Sequence, residues 1–323
     1  MRKIGLVVAV GLAVSAAVPL SALAQAYPSK PIRLIVPSTP GGGTDTMARF
    51  IASAMSKKLG VQVVVDNRTG ASGRIGSELA AQSPADGYTL LMGATTPLTT
   101  IPSFDTKLRY DPLKDFAPIS LVATSQYALV VHPSLPVKSV SELIALGKRR
   151  PMQVSFSSVG TGSTSHFTCE LLMQLADVKL LHVPYRGSGP ATTAVLSGEV
   201  SVYFGTGSSV RRHVEAGRLR ALATTGPKRA SLFPDLPTVN ETVPGMIVTS
   251  WYGVLAPAGT PNDILAKLHV VIAGVVGDVV VAKQIQRVGA EAISNSPEEF
   301  AAFMRTEMAK MRKVAKGAGI SVE

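Results

Sequence analysis

Cysteine is nearly absent from this chain, since Cys169 is the only one in 323 residues. One cysteine cannot form an intramolecular disulfide, and its position far from the N-terminus excludes a lipid-anchor cysteine there. The five histidines show no spacing typical of metal ligands, and neither an H-E-x-x-H motif nor a Cys/His cluster occurs. We therefore expect no disulfide, no metal site and no cofactor.

Motifs of common hydrolases and nucleotide-dependent enzymes are also missing. The chain has no G-x-S-x-G elbow for a nucleophilic serine and no G-x-x-x-x-G-K-[ST] phosphate loop. The segment Gly160-Thr161-Gly162 begins like a dinucleotide-binding motif, but Ser165 occupies the place of its third glycine. These absences argue against the usual α/β-hydrolases, nucleotide hydrolases and dinucleotide-dependent enzymes.

Aromatic residues make up only 5% of the sequence, and the basic residues that give a net charge of +11 are scattered. The run Lys148-Arg149-Arg150 is short and precedes a proline, which is typical of a solvated helix end. We therefore expect no nucleic-acid partner. A modest positive field favours anionic small ligands.

The first 26 residues carry the features of a secretory signal peptide. Met1-Arg2-Lys3 is a charged start, an apolar run follows at 4–20, and small residues allow cleavage after Ala24 or, as we favour, Ala26. A retained membrane anchor is the alternative, but polar, proline-containing sequence follows at once. After Ala26 no uninterrupted apolar run reaches membrane-spanning length. We expect an exported, soluble protein that is a monomer.

A glycine-rich turn at 37–45, with the sequence Pro-Ser-Thr-Pro-Gly-Gly-Gly-Thr-Asp, follows an apolar run at 32–36. The residues after it have helical periodicity as far as Gly60. The turn thus lies between a buried strand and a helix N-terminus, where free backbone N–H groups and the helix dipole favour an anion. A plain strand-to-helix turn is the alternative on this stretch alone.

The same order of strand, small-residue turn and helix returns in the second half. A strand at 154–157 leads into the Gly/Ser/Thr turn 158–165 and a helix whose apolar face includes Leu172 and Leu175. Strands alternating with helices predict a mostly parallel sheet with helices on both faces, and ligands bind outside the carboxyl ends of such strands. Further strands are predicted at 61–65, 88–92, 119–122, 127–131, 180–183, 200–204, 219–224 and 251–256. Helix starts are predicted at Ser139, Thr238, Thr260 and Ser296 from capping residues.

These patterns predict an α/β fold of two similar domains with a ligand cleft between their loop-rich rims. The strand at 251–256 is most simply a return crossing to the first domain. Domain 1 is then discontinuous and comprises 27–124 and 248–323, while domain 2 comprises 125–247.

Several segments resemble the Bug-type solute receptors, the substrate-binding proteins of tripartite tricarboxylate transporters. The matching segments are Tyr27-Pro28-Ser29-Lys30-Pro31-Ile32-Arg33, Pro40-Gly41-Gly42-Gly43-Thr44-Asp45, Arg49, Asp86-Gly87-Tyr88-Thr89-Leu90, Gly160-Thr161-Gly162-Ser163, His182-Val183-Pro184-Tyr185-Arg186-Gly187, Leu236-Pro237-Thr238-Val239-Asn240-Glu241, Trp251-Tyr252-Gly253 and Ala256-Pro257-Ala258-Gly259-Thr260-Pro261. They span the mature chain in the expected order. The resemblance implies a periplasmic receptor, similar to type II periplasmic binding proteins, that closes on a small carboxylate and delivers it to the integral-membrane subunits of the transporter.

The resemblance also implies which residues hold the carboxylate, through backbone N–H groups, hydroxyls and waters from both domains. By position these are Ser38, Thr39, Gly43, Thr44, Asp45, Ala71, Ser72, Thr95, Ser157, Gly160, Thr161, Gly162, Ser163, Tyr185, Arg186 and Gly187. One position departs from the family pattern. Many relatives carry an aspartate after the strand 200–204, whereas Gly205 stands here. Because an acidic group would suit an ammonium, its loss favours a di- or tricarboxylate or an aromatic carboxylate over an amino acid.

Two other classes remain open from the residues. An exported α/β enzyme acting on a small carboxylate would use His166 as base with a nearby serine, although the sequence identifies neither the nucleophile nor an orienting partner. An adhesive or structural surface protein would bind no small molecule. Two rims rich in backbone donors and hydroxyls, with little reactive chemistry, favour binding over catalysis.

Overall fold

Two groups of parallel strands, linked by long antiparallel strands, form the frame of the molecule. The computed structural model describes residues 27–105 and 107–318, so the predicted signal peptide at 1–26 lies outside them. The strands are β1 (Ile32–Val36), β2 (Val63–Asn67), β3 (Thr89–Ala94), β4 (Phe116–Val131), β5 (Ser155–Ser158), β6 (Leu181–Pro184), β7 (Val202–Thr206), β8 (Arg220–Thr224), β9 (Thr249–Pro257) and β10 (Ala290–Ala292).

Helices connect most of these strands. They are α1 (Gly43–Leu59), α2 (Arg74–Ala81), α3 (Val140–Arg149), α4 (Thr164–Ala176), α5 (Ser188–Leu196), α6 (Gly207–Glu215), α7 (Val239–Thr242), α8 (Asn262–Val276), α9 (Val279–Arg287) and α10 (Pro297–Ala318). A short 3-10 turn covers Ala71–Gly73, and a wide helical turn over Thr96–Thr100 continues into a 3-10 turn at Ile101–Ser103.

The first strand, glycine turn and helix form where the sequence predicts them. The α1 helix buries Met47, Ile51 and Met55 on one face and ends at Leu59. The next residue, Gly60, caps it by donating its N–H to the carbonyl of Ser56. That face packs on the sheet because its apolar residues recur every three or four positions. The strand after it begins at Val63, two residues later than predicted.

The sheet order is β2-β1-β3-β9-β4-β7-β5-β6. β1 lies parallel to β2 and β3, and β5 lies parallel to β6 and β7. The central pairings β3–β9, β9–β4, β4–β7 and β4–β8 are antiparallel. The prediction of a mostly parallel sheet therefore holds within each half and is wrong at the centre, where β4 and β9 are antiparallel to their neighbours and β4 pairs with strands of both halves.

A single strand of 16 residues, β4, replaces the two strands predicted at 119–122 and 127–131. The polar residues between them resemble a turn in sequence, but here they continue the ladder, with Ser125 opposite Ser250 and Gln126 opposite Thr249. Hydrogen bonding to β9 satisfies their backbone, so no turn is required. β9 returns across the molecule as predicted, and β4 and β9 together connect the two halves.

Helix starts agree with the capping signals in three of four places. Ser139, Thr238 and Ser296 each accept a hydrogen bond from the backbone N–H of the glutamate three residues later. At the fourth place the prediction is wrong, because Thr260 donates to the carbonyl of Pro257 and α8 begins at Asn262. In α4 the predicted inward residue Leu175 is exposed, because the buried face is formed by earlier residues such as Phe167 and Leu172.

Four apolar clusters form the core, on the two faces of the sheet in each half. Two of them join residues before 124 to residues after 250, and the other two are built mainly from 127–248. The last helix contributes to both halves, since Phe300 and Met304 lie in the first and Met311 lies in the second. The domain boundaries stay a prediction. Cys169 is buried in the second half, and Trp251 is fully buried in the first.

Over residues 27–105 and 107–318, no helix alone has both the length and the apolar character to span a bilayer. The α8 and α9 helices meet those criteria only when taken together, and they are bent by 68°.

Candidate functional site

A cavity of about 710 Å³ lies between the two halves, at the carboxyl ends of the parallel strands. The two rims touch beside it, where Thr164 at the start of α4 forms hydrogen bonds with Thr96 (3.0 Å) and Thr100 (2.9 Å). The rims enclose the cavity from both sides, as expected for ligands at the ends of strands in α/β sheets.

The N-terminus of α1 faces this cavity. Gly42, the residue before the helix, has extended backbone and offers no side-chain cap, and Gly43 and Thr44 line the cavity. The first N–H groups of a helix have no partner within the helix. Those of α1 therefore stay available to a ligand, with the positive end of the helix dipole behind them.

Two further helices begin at the cavity in the same way. Gly187 precedes α5 and Thr206 precedes α6, and neither caps its helix through a side chain. Both residues line the cavity. Three helix N-termini thus converge on one space, from the first half (α1) and the second half (α5 and α6).

The α4 helix differs, because its own side chains satisfy its first turn. The hydroxyl of Ser163 accepts from the N–H of His166 (3.3 Å), and the N–H of Gly162 donates to Nδ1 of His166 (3.2 Å). Neither Ser163 nor Gly162 lines the cavity, and the same is true of the neighbouring Thr161, which is exposed to solvent.

Asp45 lies behind the α1 turn rather than in the cavity. Its buried carboxylate accepts hydrogen bonds from the N–H of Gly41 and from the side chains of Arg49 and Asn67, each at 2.9 Å. Burial alone would raise the pKa of this carboxyl, but the bonds from Arg49, Gly41 and Asn67 outweigh burial and keep the pKa below its usual range. Asp45 thus holds the glycine turn in shape.

The structure brings most of the predicted site residues together. Those that line the cavity are Ser38, Thr39, Gly43, Thr44, Ala71, Ser72, Thr95, Gly160, Tyr185, Arg186 and Gly187. Those that do not are Asp45, Ser157, Thr161, Gly162 and Ser163. Ser157 lies under the rim and donates its hydroxyl to the carbonyl of Ala191 (3.1 Å). Contact with a ligand stays a prediction for all sixteen.

Sequence reasoning missed three tyrosines that line the cavity from its strands. They are Tyr127 on β4, Tyr203 on β7 and Tyr252 on β9, and all three are buried. Burial is the main reason that the pKa of each phenol is raised. Their location explains the omission, since the sequence pattern pointed to loops and turns. The only signal in the sequence for any of the three was the segment Trp251-Tyr252-Gly253, which is part of the family resemblance and contains Tyr252.

Charge at the cavity is sparse and positive. Arg186, which is exposed, is the only charged side chain among the described lining residues, and no aspartate or glutamate is among them. Gly205 does not line the cavity. A Cβ there would lie 2.7 Å from Cε1 of Tyr203 and would also collide with Cγ1 of Val210, so the ring of Tyr203 takes up the space beside it.

The histidine considered as a catalytic base is enclosed beside the cavity. The ring of His166 stacks on that of His182 with centroids 4.0 Å apart, and Nε2 of His166 lies 3.3 Å from Oε1 of Glu170. Within the described part of the chain no serine hydroxyl bonds to the imidazole of His166, and Ser158, which bonds to the ring of His182 at 2.7 Å, is fully buried. Burial, together with His166, lowers the pKa of His182 to about 4.

Two α/β lobes around a cavity of hydroxyls and helix N-termini define a two-lobed binding protein of the periplasmic type. The sequence matches the model of the tripartite tricarboxylate transporter family receptor over residues 47–320. The chain belongs to this family, which confirms the resemblance.

Similar proteins cover nearly the whole chain. Protein BugT of Bordetella pertussis is 36% identical over 309 residues, which are 95% of this chain and 94% of that protein. The solved structure of R. palustris Rpa4515 with adipate is 36% identical, covers 91% of this chain and 99% of its own, and superposes with a TM-score of 0.88. MatC from Rhodopseudomonas palustris with bound malate is 29% identical, covers 89% and 99%, and superposes with a TM-score of 0.83.

Proposed function

We propose that this chain is a periplasmic solute receptor that binds a small organic carboxylate between its two lobes and delivers it to a membrane transporter. The ligand class comprises di- and tricarboxylates and aromatic carboxylates. The lobes are 27–124 with 248–323, and 125–247.

The observation that carries this proposal is the convergence of α1, α5 and α6 on one cavity with no side-chain caps. Free N–H groups at a helix N-terminus bind anions, and each helix dipole adds favourable potential. Arg186 supplies a full positive charge at the rim, and no carboxylate among the described lining residues opposes it. A carboxylate fits such a site through several hydrogen bonds at once.

The relatives support the same ligand class. Two similar structures contain adipate and malate, and both of these molecules are dicarboxylates. The family is described as receptors, which favours binding over catalysis for this chain. His166 is buried and its Nδ1 already accepts a hydrogen bond from the N–H of Gly162, so the geometry of this histidine does not favour a catalytic base.

Closure of the two lobes on the ligand is the change by which the receptor signals binding to the membrane transporter. The rims touch at Thr164, and Gly160 and Ser72 face each other across the cleft, since a Cβ on Gly160 would lie 2.9 Å from Oγ of Ser72. A ligand that contacts both rims stabilises the closed form only by its additional contacts there. The integral-membrane subunits of a tripartite tricarboxylate transporter would recognise that closed form, and the signal peptide predicted at 1–26 would place the receptor in the periplasm.

A thermal-shift screen of carboxylic acids, followed by calorimetry, tests the proposal. We expect succinate, malate, adipate, citrate or an aromatic acid to raise the melting temperature, because a ligand that binds only the folded state stabilises it. Aspartate and glutamate serve as amino-acid comparisons, and the bound acid is recovered intact. The proposal fails if no carboxylate shifts the melting temperature, or if the acid is converted to product.

A further inference from the structure

The turn from the end of β5 to the start of α4, residues 158–163, supplies Val159 and Gly160 to the cavity lining. We call it the β5–α4 turn. Gly160 has a positive φ of 133° and faces the first half, since a Cβ on it would lie 2.9 Å from Oγ of Ser72. Residues that contact a ligand bind it well only when a second layer of residues holds them in place. For this turn, the second layer contains two histidines.

His182 holds Gly160 through a buried serine. Oγ of Ser158 accepts a hydrogen bond from the N–H of Gly160 (3.2 Å) and lies 2.7 Å from Nε2 of His182. A hydroxyl donates one proton and accepts through two lone pairs, so Ser158 can serve both partners at once. Ser158 is fully buried, and a buried hydroxyl depends on such partners. The position of Gly160 is therefore tied to the ring of His182.

His166 holds Gly162, two residues further along the turn. The buried N–H of Gly162 donates to Nδ1 of His166 (3.2 Å), so Nδ1 carries no proton. The proton of the neutral ring is then on Nε2, which lies 3.3 Å from Oε1 of Glu170. The ring also stacks on that of His182, with centroids 4.0 Å apart. A second proton would have to sit on Nδ1, where it would face the N–H of Gly162 and replace an attraction by a repulsion.

The charged groups around this ring can be named from the elements that pack on α4. They are Glu170 on the same helix and His182 on β6. The strands β5 and β7 and the turn at 96–100, which also pack on α4, contain no acidic or basic residue. On α10, Glu307 and Lys310 pair with each other at 3.2 Å. Within the described residues, Glu170 is thus the carboxylate that partners the ring, and it accepts from Nε2 whether or not Nδ1 is protonated.

We propose that His166 and His182 are positioning residues for the ligand, and that a proton on Nδ1 of His166 releases Gly162 and lowers the affinity for the carboxylate. This inference rests on the proposed function. Neither histidine lines the cavity, so both act through the β5–α4 turn. With Gly162 released, the turn loses one of the bonds that fix Gly160 against the first half. The receptor then binds its carboxylate more weakly in acid.

Variants of His166 separate the acceptor from the ring. His166→Asn places an amide oxygen where Nδ1 lies and cannot titrate, whereas His166→Phe keeps a ring and removes the acceptor. Calorimetry at pH 8 and pH 5.5 uses the tightest-binding acid among succinate, malate, adipate and citrate. We expect His166→Phe to bind about tenfold more weakly at pH 8 and His166→Asn to bind like the wild type. Between the two pH values the wild type should lose about threefold to tenfold more affinity than His166→Asn, because protonation of the acid itself affects both proteins alike.

Variants of His182 test the bond to Ser158 in the same way. His182→Gln keeps a polar group at the place of Nε2, whereas His182→Phe keeps only a ring. Lower affinity is expected in His182→Phe and a smaller change in His182→Gln. His132→Phe is the matched control, because His132 lies outside the cavity lining and its ring bonds to Ser134 instead. It should change neither the affinity nor its pH dependence.

Nitrogen-15 NMR of the imidazole rings provides a readout that needs no ligand. In the wild type at pH 8, His166 should carry its proton on Nε2 and none on Nδ1. A proton on Nδ1 would overturn the inference, and so would equal pH dependence of affinity in the wild type and His166→Asn. Unchanged affinity in a folded His166→Phe, with only its stability reduced, would show that the ring is merely structural. Should that variant misfold, His166→Asn and the NMR experiment still decide.

In each of these contrary cases a carboxylate still binds, so the proposed receptor function stands while the role of the histidines falls. If none of the four acids binds the wild type at pH 8, the proposed function and the positioning role fail together.

Discussion

The hydroxyl oxygen of Tyr252 lies directly over Gly43, so closely that a Cβ on this glycine would stand 2.5 Å from it. The same Cβ would be 3.3 Å from Oγ of Ser208, at the start of α6. Gly43 is therefore the place where α1, α6 and Tyr252 of β9 meet. The absence of a side chain there leaves the N–H groups of α1 open to the cavity.

Gly43→Ala is expected to weaken ligand binding at least about tenfold, because the new methyl group displaces the Tyr252 hydroxyl and covers the α1 N-terminus. Calorimetry with the best carboxylate of the screen measures the change. Gly274→Ala is the matched control. Gly274 lies in α8 and outside the cavity lining, and a Cβ there would meet only the flexible end of the Lys58 side chain. Equal affinities of the two variants would contradict the assignment of the α1 terminus to the ligand.

Arg186→Gln is expected to lower carboxylate affinity about threefold to tenfold and to reduce its dependence on salt. The guanidinium is exposed at the mouth, where its attraction is screened and worth about 1 kcal/mol. Affinities measured at two ionic strengths separate this long-range contribution from direct contact. Arg312→Gln, an exposed position on α10, controls for net charge. An identical loss in the control would show that overall charge, rather than Arg186, is responsible.

Ser163→Ala is expected to destabilise the fold by about 1 kcal/mol and to change affinity little. Its hydroxyl caps α4 instead of lining the cavity, and losing an N-cap typically has that effect. Thr44→Ala is expected to behave in the opposite way, with lower affinity and little change in stability. Urea unfolding and calorimetry on both variants give the comparison. A large affinity loss in Ser163→Ala would restore the role that the resemblance implied.

Asp45, Ser163 and the three buried tyrosines of the cavity show how far the sequence could predict the site. Small residues at the ends of strands located the rims, because that pattern depends on local turn geometry. Asp45 and Ser163 have the right chemistry for ligands, but hydrogen bonds to Asn67 and His166 engage them first. The sequence does not reveal the pairing of Asp45 with Asn67, since these residues lie 22 positions apart along the chain and become neighbours only in the fold. The cap that Ser163 forms with the N–H of His166 is local, three residues along the chain.

The long strand β4 shows the same limit for the fold. The two lobes, the return of β9 and most helix starts follow from local periodicity and capping residues, which the sequence displays directly. The polar stretch around Ser125 and Gln126 interrupts that periodicity, and only its pairing with β9 keeps it extended. Tyr127 follows at once, so the error about β4 also concealed one of the three buried tyrosines that line the cavity.

Protein stability is expected to fall as the pH is lowered from about 6.5 towards 4, partly because of His182. Burial next to His166 gives the folded imidazole a pKa of about 4, below the usual 6.5. In that window the unfolded chain binds a proton at His182 that the folded chain does not, so stability decreases with acidification. The contribution should be about 1 kcal/mol, since His182 is half-buried and solvent screens it.

Urea unfolding at pH 7 and pH 5 measures this contribution of His182. His182→Gln should reduce the difference in unfolding free energy between the two pH values, whereas His132→Gln should not. Equal differences in all three proteins would refute the assignment to His182.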